Sequence, residues 1–142
     1  LKHRDYIKPA EMHSRFLVSL EGISSKMSST GNNNIAIFMT DKLIDVDKKI
    51  KKCFSGGKET KELQQKYGAN LKIDVAYQWL LYFLEDDEKL KEIAIKYKSG
   101  QLLSGQIKKI LSNIVQEIIK NHQEKRNNIK DELLKKFFNP NR

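Results

Sequence analysis

The residues with the clearest capacity for chemistry form a short stretch in a polar segment near the start of the chain. The stretch consists of Lys26, Met27, Ser28, Ser29 and Thr30, and the surrounding segment is rich in Gly, Ser and Asn. A lysine ammonium, hydroxyl groups and backbone N–H groups can together hold phosphate oxygens. A mobile loop with these groups can close on a nucleotide and then release product. Taken alone the pattern is weak, because a solvated loop can have the same composition.

Few other side chains indicate a site. The acidic run at 85–87 could suggest a metal site, but helix capping and pairing with the helix dipole explain it better, so we assign no metal ligand. Cys53 is the only cysteine and cannot form an internal disulfide. We expect a buried or idle thiol.

The composition describes a folded chain with excess positive charge. The protein has 142 residues, of which 39% are apolar and 32% charged, enough for one domain with a core. Its net charge of +9 fits a polyanionic partner such as nucleic acid, or simply a lysine-rich surface. No apolar run of about 18 residues and no signal peptide is present, so we expect a soluble cytoplasmic protein without a membrane partner. Because the chain begins with Leu1 and not Met, we expect a piece of a longer protein.

The secondary structure that the sequence predicts around the lysine stretch changes near residue 40, from strands and loop to helices. Before that point, two short apolar runs at 16–18 and 35–39 predict buried strands. Between them, residues 21–34 have the composition of a polar, mobile loop. This arrangement places the lysine stretch on a loop between two strands.

Residues 41–142 predict a bundle of helices. The expected helices run from 41 to about 53 with Thr40 as cap, from about 58 to 67, and from 75 to about 84 with Asp74 as cap. A fourth has Asp86 or Asp87 as cap and ends at Ser99-Gly100, and the last runs from 104 toward Pro140. The third is apolar nearly all round, so we expect it at the centre, with Tyr77 and Trp79 as core or interface aromatics. The last carries an apolar stripe about 30 residues long, with His122 at the edge of the core. The fold class is therefore mainly α.

A series of short strings along the chain resembles one protein family. The strings are Lys8-Pro9-Ala10, His13-Ser14, Leu20-Glu21-Gly22, Ile37-Phe38-Met39-Thr40-Asp41, Phe54-Ser55-Gly56-Gly57-Lys58-Glu59-Thr60, Asp74-Val75, Phe83-Leu84-Glu85-Asp86-Asp87, Tyr97-x-Ser99-Gly100 and Lys108-Lys109. In the same order, they resemble the eukaryotic-type tryptophanyl-tRNA synthetases. The lysine stretch itself resembles the Lys-Met-Ser-Lys-Ser signature of class I aminoacyl-tRNA synthetases. It departs from the eukaryotic form at Ser29, which is usually Ala, and at Thr30, which keeps a hydroxyl.

The resemblance implies a division of the chain and an activity. Residues 1–40 would be the C-terminal remnant of a Rossmann-like catalytic domain with the Lys-Met-Ser loop, and residues 41–142 the helical domain that binds the tRNA anticodon. The complete enzyme would use ATP and Mg²⁺ to activate tryptophan and would transfer it to tRNA(Trp), acting as a homodimer. The family's other ATP-binding signature and most tryptophan-binding residues are absent from this chain, so we expect the piece to be inactive alone.

The resemblance also assigns roles to residues. Lys26 would contact the ATP phosphates as the catalytic residue, and Met27, Ser28 and Thr30 would bind the nucleotide. His13 would line the nucleotide pocket, or would be a structural histidine at a strand end.

Lys58 and Glu59 would meet the anticodon. A carboxylate can read a cytosine amino group, although the family more often has Arg-Asp here. Both residues could instead be solvated charges at a helix start, and the basic residues of 125–130 could touch tRNA phosphates or form a solvated face.

Two other interpretations remain. One is the C-terminal portion of a tyrosyl-tRNA synthetase, which shares the fold and a similar loop; the Phe-Ser-Gly-Gly and Phe-Leu-Glu-Asp-Asp strings favour the tryptophanyl branch. The other is a helical RNA-binding module without enzymatic activity, which the positive charge alone would also fit.

Overall fold

A computed structural model of the protein describes residues 10–28 and 36–138, and this part is mostly helical with one small hairpin. The strands are β1 (Val18–Ser19) and β2 (Gly22–Lys26), and the helices are α1 (Leu43–Lys52), α2 (Lys61–Tyr67), α3 (Val75–Phe83), α4 (Asp87–Lys98), α5 (Ser104–Asn127) and α6 (Asp131–Phe137). The prediction of a mainly α fold is confirmed. No helix among the described residues is long and apolar enough to cross a membrane.

The first part of the chain differs from the prediction. The strand expected at 16–18 begins at Val18, and the described residues of the second apolar run, 36–39, form no strand. The polar segment predicted as a loop contains β2, which pairs antiparallel with β1. The prediction failed because β2 carries small polar residues, which can form backbone ladders without the apolar alternation that reveals a strand.

Polar side chains cap three of the helices. Thr60 caps α2 by accepting a hydrogen bond from the backbone N–H of Leu63, and Asp86 caps α4 through Lys89. Asp74 caps α3. The predicted caps of α3 and α4 are therefore confirmed, because a short polar side chain before an apolar helix satisfies an otherwise unpaired N–H group.

The predicted start of α1 is wrong. Thr40 lies in a turn, and the helix begins at Leu43 after Lys42, whose side chain makes no cap bond. The Asp41 carboxylate, expected in the first helical turn, instead accepts a hydrogen bond from the backbone N–H of Phe38 (3.0 Å) and pairs with Lys49 (2.7 Å). This competing use of Asp41 holds the chain out of the helix for two more residues.

The core lies where α1, α3 and α5 meet. Its largest fully buried apolar side chains are Val46, Ile50, Val75, Trp79, Leu80, Ile107, Leu111 and Ile119, together with Tyr97 from α4. Trp79 is core as predicted, and Tyr77 packs half-buried at its edge. The expectation that α3 is buried on all sides holds only in part, since Leu81 and Tyr82 are each 42% exposed.

The predicted burial of an apolar stripe along the last helix is wrong for the second half of the stripe. The chain leaves the helix after Asn127 and resumes in α6, none of whose residues is buried. His122 is exposed, and so is most of Phe137. The reason is length: α5 has 24 residues, whereas α1 has 10 and α3 has 9, so the partners that bury α5 end before it does.

Replacing Gly68 with alanine should destabilise the fold. Gly68 follows α2 with φ 65°, and a Cβ there would lie 1.7 Å from the carbonyl oxygen of Lys98. Left-handed strain and this overlap together should lower the free energy of unfolding by at least about 2 kcal/mol, measured by urea denaturation. Gly105→Ala is the matched control, because a Cβ there meets nothing within 4 Å. Equal losses in the two variants would contradict this explanation.

Candidate functional site

The Lys-Met-Ser segment begins at the end of the hairpin. Lys26 is the last residue of β2, pairs with Val18 across the hairpin and has an exposed side chain. The backbone N–H of Met27 donates to the carbonyl oxygen of Leu17 at 2.8 Å, so the ladder continues one residue beyond the strand. The lysine ammonium is thus presented to solvent from a backbone that is held by hydrogen bonds.

The other predicted nucleotide-binding residues are described only in part. Ser28 is half-buried, and Thr30 lies outside the described residues. His13 precedes β1; its Nε2 lies 3.2 Å from Glu11 Oε2, and its side chain is 87% exposed. The role of each of these residues stays a prediction.

The hairpin is attached to α3. The buried indole of Trp79 donates from Nε1 to the carbonyl oxygen of Val18 at 2.9 Å. In the hairpin turn, the carbonyl oxygen of Leu20 accepts a hydrogen bond from the backbone N–H of Phe54 at 2.8 Å. Helix α3 and the segment after α1 therefore determine where the lysine-bearing strand lies.

The chain that returns from the Lys-Met-Ser segment is attached to the helices as well. The Lys49 ammonium donates to the carbonyl oxygen of Ala36 (2.9 Å) and lies 5.4 Å from the centre of the Phe38 ring. The Gln123 side chain of α5 donates to the carbonyl oxygen of Asp41 at 2.9 Å. Residues 36–41 are therefore held in place by the helical part of the molecule.

The second predicted site begins at a corner formed by residues 55–57, which we call the glycine corner. The Asp74 carboxylate accepts hydrogen bonds from the backbone N–H of Gly56 (2.8 Å) and the hydroxyl of Ser55 (3.2 Å). The carbonyl oxygen of Gly56 accepts from the backbone N–H of Asn70 at 2.8 Å, and the N–H of Gly57 donates to Ser55 Oγ at 3.1 Å. The polar backbone of the corner is therefore paired on both sides.

Close packing makes glycine necessary at both positions of the corner. A Cβ on Gly56 would lie 2.2 Å from the carbonyl oxygen of Asn70, and one on Gly57 would lie 2.1 Å from Ser104 Oγ. Both distances are far below any contact between real atoms. The glycine pair thus permits a close approach of the backbone to its neighbours.

A buried tyrosine completes the corner. The Tyr97 hydroxyl donates to Asp74 at 2.8 Å and lies 3.0 Å from Ser104 Oγ and 3.2 Å from Ser55 Oγ. Burial, as the largest cause, raises the pKa of Tyr97 to about 12. Asp74 also accepts from the backbone N–H of Tyr77 at 2.9 Å, so one carboxylate serves both the helix cap and the corner.

Lys58 and Glu59 leave this corner with exposed side chains. The backbone N–H of Lys58 donates to Gln64 Oε1 at 2.7 Å, and α2 begins only after Thr60. The two residues therefore lie on a short connection between the corner and α2, and not at the helix start that was predicted. The side chains point outward from a backbone fixed at its first residue.

Cys53 and the acidic run play structural parts. Cys53 is buried as expected, and desolvation raises its pKa to about 11, which keeps the thiol protonated and unreactive near neutral pH. Asp86 is a helix cap, and no cluster of metal-ligating side chains occurs in the described ranges 10–28 and 36–138.

Comparison with known proteins gives consistent matches. Residues 1–120 match a family described as tRNA synthetases class I (W and Y). The cytoplasmic tryptophan–tRNA ligase of Dictyostelium discoideum is 46% identical over 132 residues, which is 92% of this chain and 33% of that protein. The cytoplasmic tryptophan–tRNA ligase of Saccharomyces cerevisiae is 46% identical over 138 residues, 96% of this chain and 32% of that protein. The chain thus spans about a third of the length of these curated relatives.

Solved structures agree. A product-bound parasite tRNA synthetase superposes with a TM-score of 0.82 at 48% identity, covering 91% of this chain and 34% of that one. The tryptophanyl-tRNA synthetase from Giardia lamblia superposes with a TM-score of 0.80 at 37% identity, covering 85% of this chain and 30% of that one.

The raised pKa of Tyr97 predicts an alkaline loss of stability. Since the folded protein holds the Tyr97 proton more tightly than the unfolded chain, the stabilisation is complete below pH 10 and is lost as pH rises toward about 12. In urea denaturation, the native protein should lose more stability between about pH 8 and about pH 11 than Tyr97→Phe does, because phenylalanine does not titrate. Parallel losses in the two proteins would show that Tyr97 does not cause the alkaline fall.

Proposed function

Because the chain belongs to the family of class I tRNA synthetases for tryptophan and tyrosine, we propose that it is part of a tryptophan–tRNA ligase. The observation that carries this proposal is the match of more than nine-tenths of the chain to tryptophan–tRNA ligases at 46% identity. The tyrosine-specific alternative is not favoured, since these relatives and the Giardia structure are tryptophan enzymes. The relatives are cytoplasmic by name, and we propose the same location here.

The complete ligase would join tryptophan to AMP with release of pyrophosphate and then transfer tryptophan to the 3′ end of tRNA(Trp). In this proposal residues 1–40 end the Rossmann-like catalytic domain, and residues 41–142 form the helical anticodon-binding domain. The complete enzyme is a homodimer, assembled mainly through its catalytic part. Helix α3 and the segment after α1 hold the lysine-bearing hairpin, so the two proposed parts of the chain are attached to each other.

In the proposed nucleotide site, Lys26 contacts the phosphates of ATP and stabilises the charge that develops on the leaving pyrophosphate. Met27 contributes backbone contacts, Ser28 and Thr30 donate to phosphate, and His13 lines the same pocket. Mg²⁺ would accompany ATP chiefly through phosphate oxygens. The exposed side chain of Lys26 on a hydrogen-bonded strand end supports its role.

In the proposed tRNA site, Lys58 attracts phosphate and Glu59 reads a base of the anticodon. Two observations support it: both side chains are exposed, and the backbone before them is held by the glycine corner. The net charge of +9 favours association with RNA in general.

Lys26→Ala in the complete ligase should slow formation of the adenylate more than it weakens tryptophan binding. A charge that acts on the leaving group stabilises the transition state more than the ground state, and losing such a contact typically costs ~10²–10³-fold in rate. The measurement is tryptophan-dependent exchange of pyrophosphate into ATP. Lys89→Ala, at an exposed lysine of α4, is the control. An unchanged exchange rate in Lys26→Ala would exclude this role for Lys26.

Lys58→Ala and Glu59→Ala should affect tRNA differently. Without the Lys58 charge, all tRNAs should bind more weakly and the salt slope of binding should fall by about 1. Without the Glu59 carboxylate, discrimination at one base should fall by about 1–3 kcal/mol, seen as a higher KM for tRNA(Trp). Pyrophosphate exchange, which needs no tRNA, should persist in both.

Glu117→Ala, an exposed substitution on α5, is the matched control for the carboxylate. If exchange and charging fall together in Glu59→Ala, the residue is structural and the anticodon assignment is wrong. If neither changes, the exposed basic face at 125–130 becomes the place to look for tRNA contacts.

A further inference from the structure

We propose that Asp74 and Tyr97 are positioning residues for tRNA recognition, which fix the path of the glycine corner and thereby aim Lys58 and Glu59 at the anticodon. The inference rests on the proposed tRNA role of those two residues. Asp74 and Tyr97 cannot contact RNA themselves, because both are completely buried. Any effect they have on tRNA must therefore pass through the corner.

One hydroxyl joins four parts of the fold. Tyr97 lies near the end of α4, and its hydroxyl donates to Asp74 at the start of α3 (2.8 Å). The same oxygen lies 3.0 Å from Ser104 Oγ at the start of α5 and 3.2 Å from Ser55 Oγ in the corner. Ser104, Asp74 and Ser55 lie 7, 23 and 42 positions from Tyr97 in the chain, so the tertiary fold brings them together.

Hydrogen bonds fix the backbone of the glycine corner at several points. Gly56 is held through its N–H by Asp74, at 2.8 Å, and through its carbonyl oxygen by Asn70, also at 2.8 Å. The next fixed point is the backbone N–H of Lys58, which donates to the buried side chain of Gln64. Recognition of a base tolerates only small displacements of the recognising group, so a corner that can shift should bind tRNA less well even when Lys58 and Glu59 are intact.

Tyr97→Phe in the complete ligase removes the hydroxyl and keeps the ring. We expect the KM for tRNA to rise about three- to tenfold, the equivalent of losing one hydrogen bond, with a smaller change in pyrophosphate exchange. The matched control is Ser112→Ala, which also deletes a fully buried hydroxyl that donates to a carboxylate, Asp47 at 2.8 Å. Ser112 lies on α5 about 12 Å along the helix from Ser104 and away from the corner.

The possible outcomes distinguish the positioning role of Tyr97 from the proposed tRNA site at Lys58 and Glu59. A rise in KM confined to Tyr97→Phe supports positioning. An equal rise in Ser112→Ala overturns it, since general destabilisation would then suffice. If Lys58→Ala or Glu59→Ala raises KM and Tyr97→Phe does not, the tRNA site stands and the positioning role fails. If none of the three changes KM, the corner is not a tRNA site and both ideas fall.

A second variant displaces the glycine corner without substituting Asp74 or Tyr97. Gly57→Ala places a Cβ 2.1 Å from Ser104 Oγ and should displace the corner, raising the KM for tRNA. Adding Ser104→Ala removes the nearer of two overlapping oxygens, the other being Gln64 Oε1 at 2.8 Å, and should restore part of the loss. Gly105→Ala alone should change little. Failure of the double variant to recover any tRNA affinity, with a stability equal to that of the native protein, would overturn the positioning role.

Discussion

The buried carboxylate of Asp74 imposes the constraint on which most of the site depends. An ionised group that is removed from water is costly unless hydrogen bonds replace its hydration. Asp74 has no exposed surface, and it is surrounded by neutral donors: the backbone N–H groups of Gly56 and Tyr77 and the hydroxyls of Ser55 and Tyr97. The carboxylate is satisfied only when the corner, α3 and α4 are all in place, so these segments stabilise one another.

The helix that Asp74 caps also holds the hairpin. Asp74 stands at the first turn of α3, and Trp79, five residues later, holds the hairpin through the carbonyl oxygen of Val18. The strand that ends in Lys26 and the corner that leads to Lys58 are thus attached to a single helix of nine residues. In the proposed ligase, one helix would therefore support both the proposed ATP-phosphate ligand and the proposed anticodon contact.

Local signals were sufficient to predict much of the fold. Asp74, and either Asp86 or Asp87, were predicted as caps because capping depends on neighbours in sequence. Trp79 was expected in the core or in an interface because an apolar helix must be covered. The hairpin was missed because Ser24 and Ser25 pair through the backbone without apolar alternation. The contact between Tyr97 and Asp74 joins residues 23 positions apart, and no periodicity encodes it. His122 was misplaced because the length of α1 and α3, and not the pattern of α5, decides where burial ends.

Trp79 is the only tryptophan of this chain, and its indole N–H is bonded to the hairpin backbone while its ring lies 5.7 Å from that of Phe83. An indole that loses such a partner becomes hydrated, and hydration moves its emission to longer wavelength. The 142-residue chain therefore contains a built-in optical reporter for attachment of the lysine-bearing strand. Any condition that releases β1 from α3 would become visible in the ultraviolet fluorescence of the polypeptide itself, without a label and without turnover.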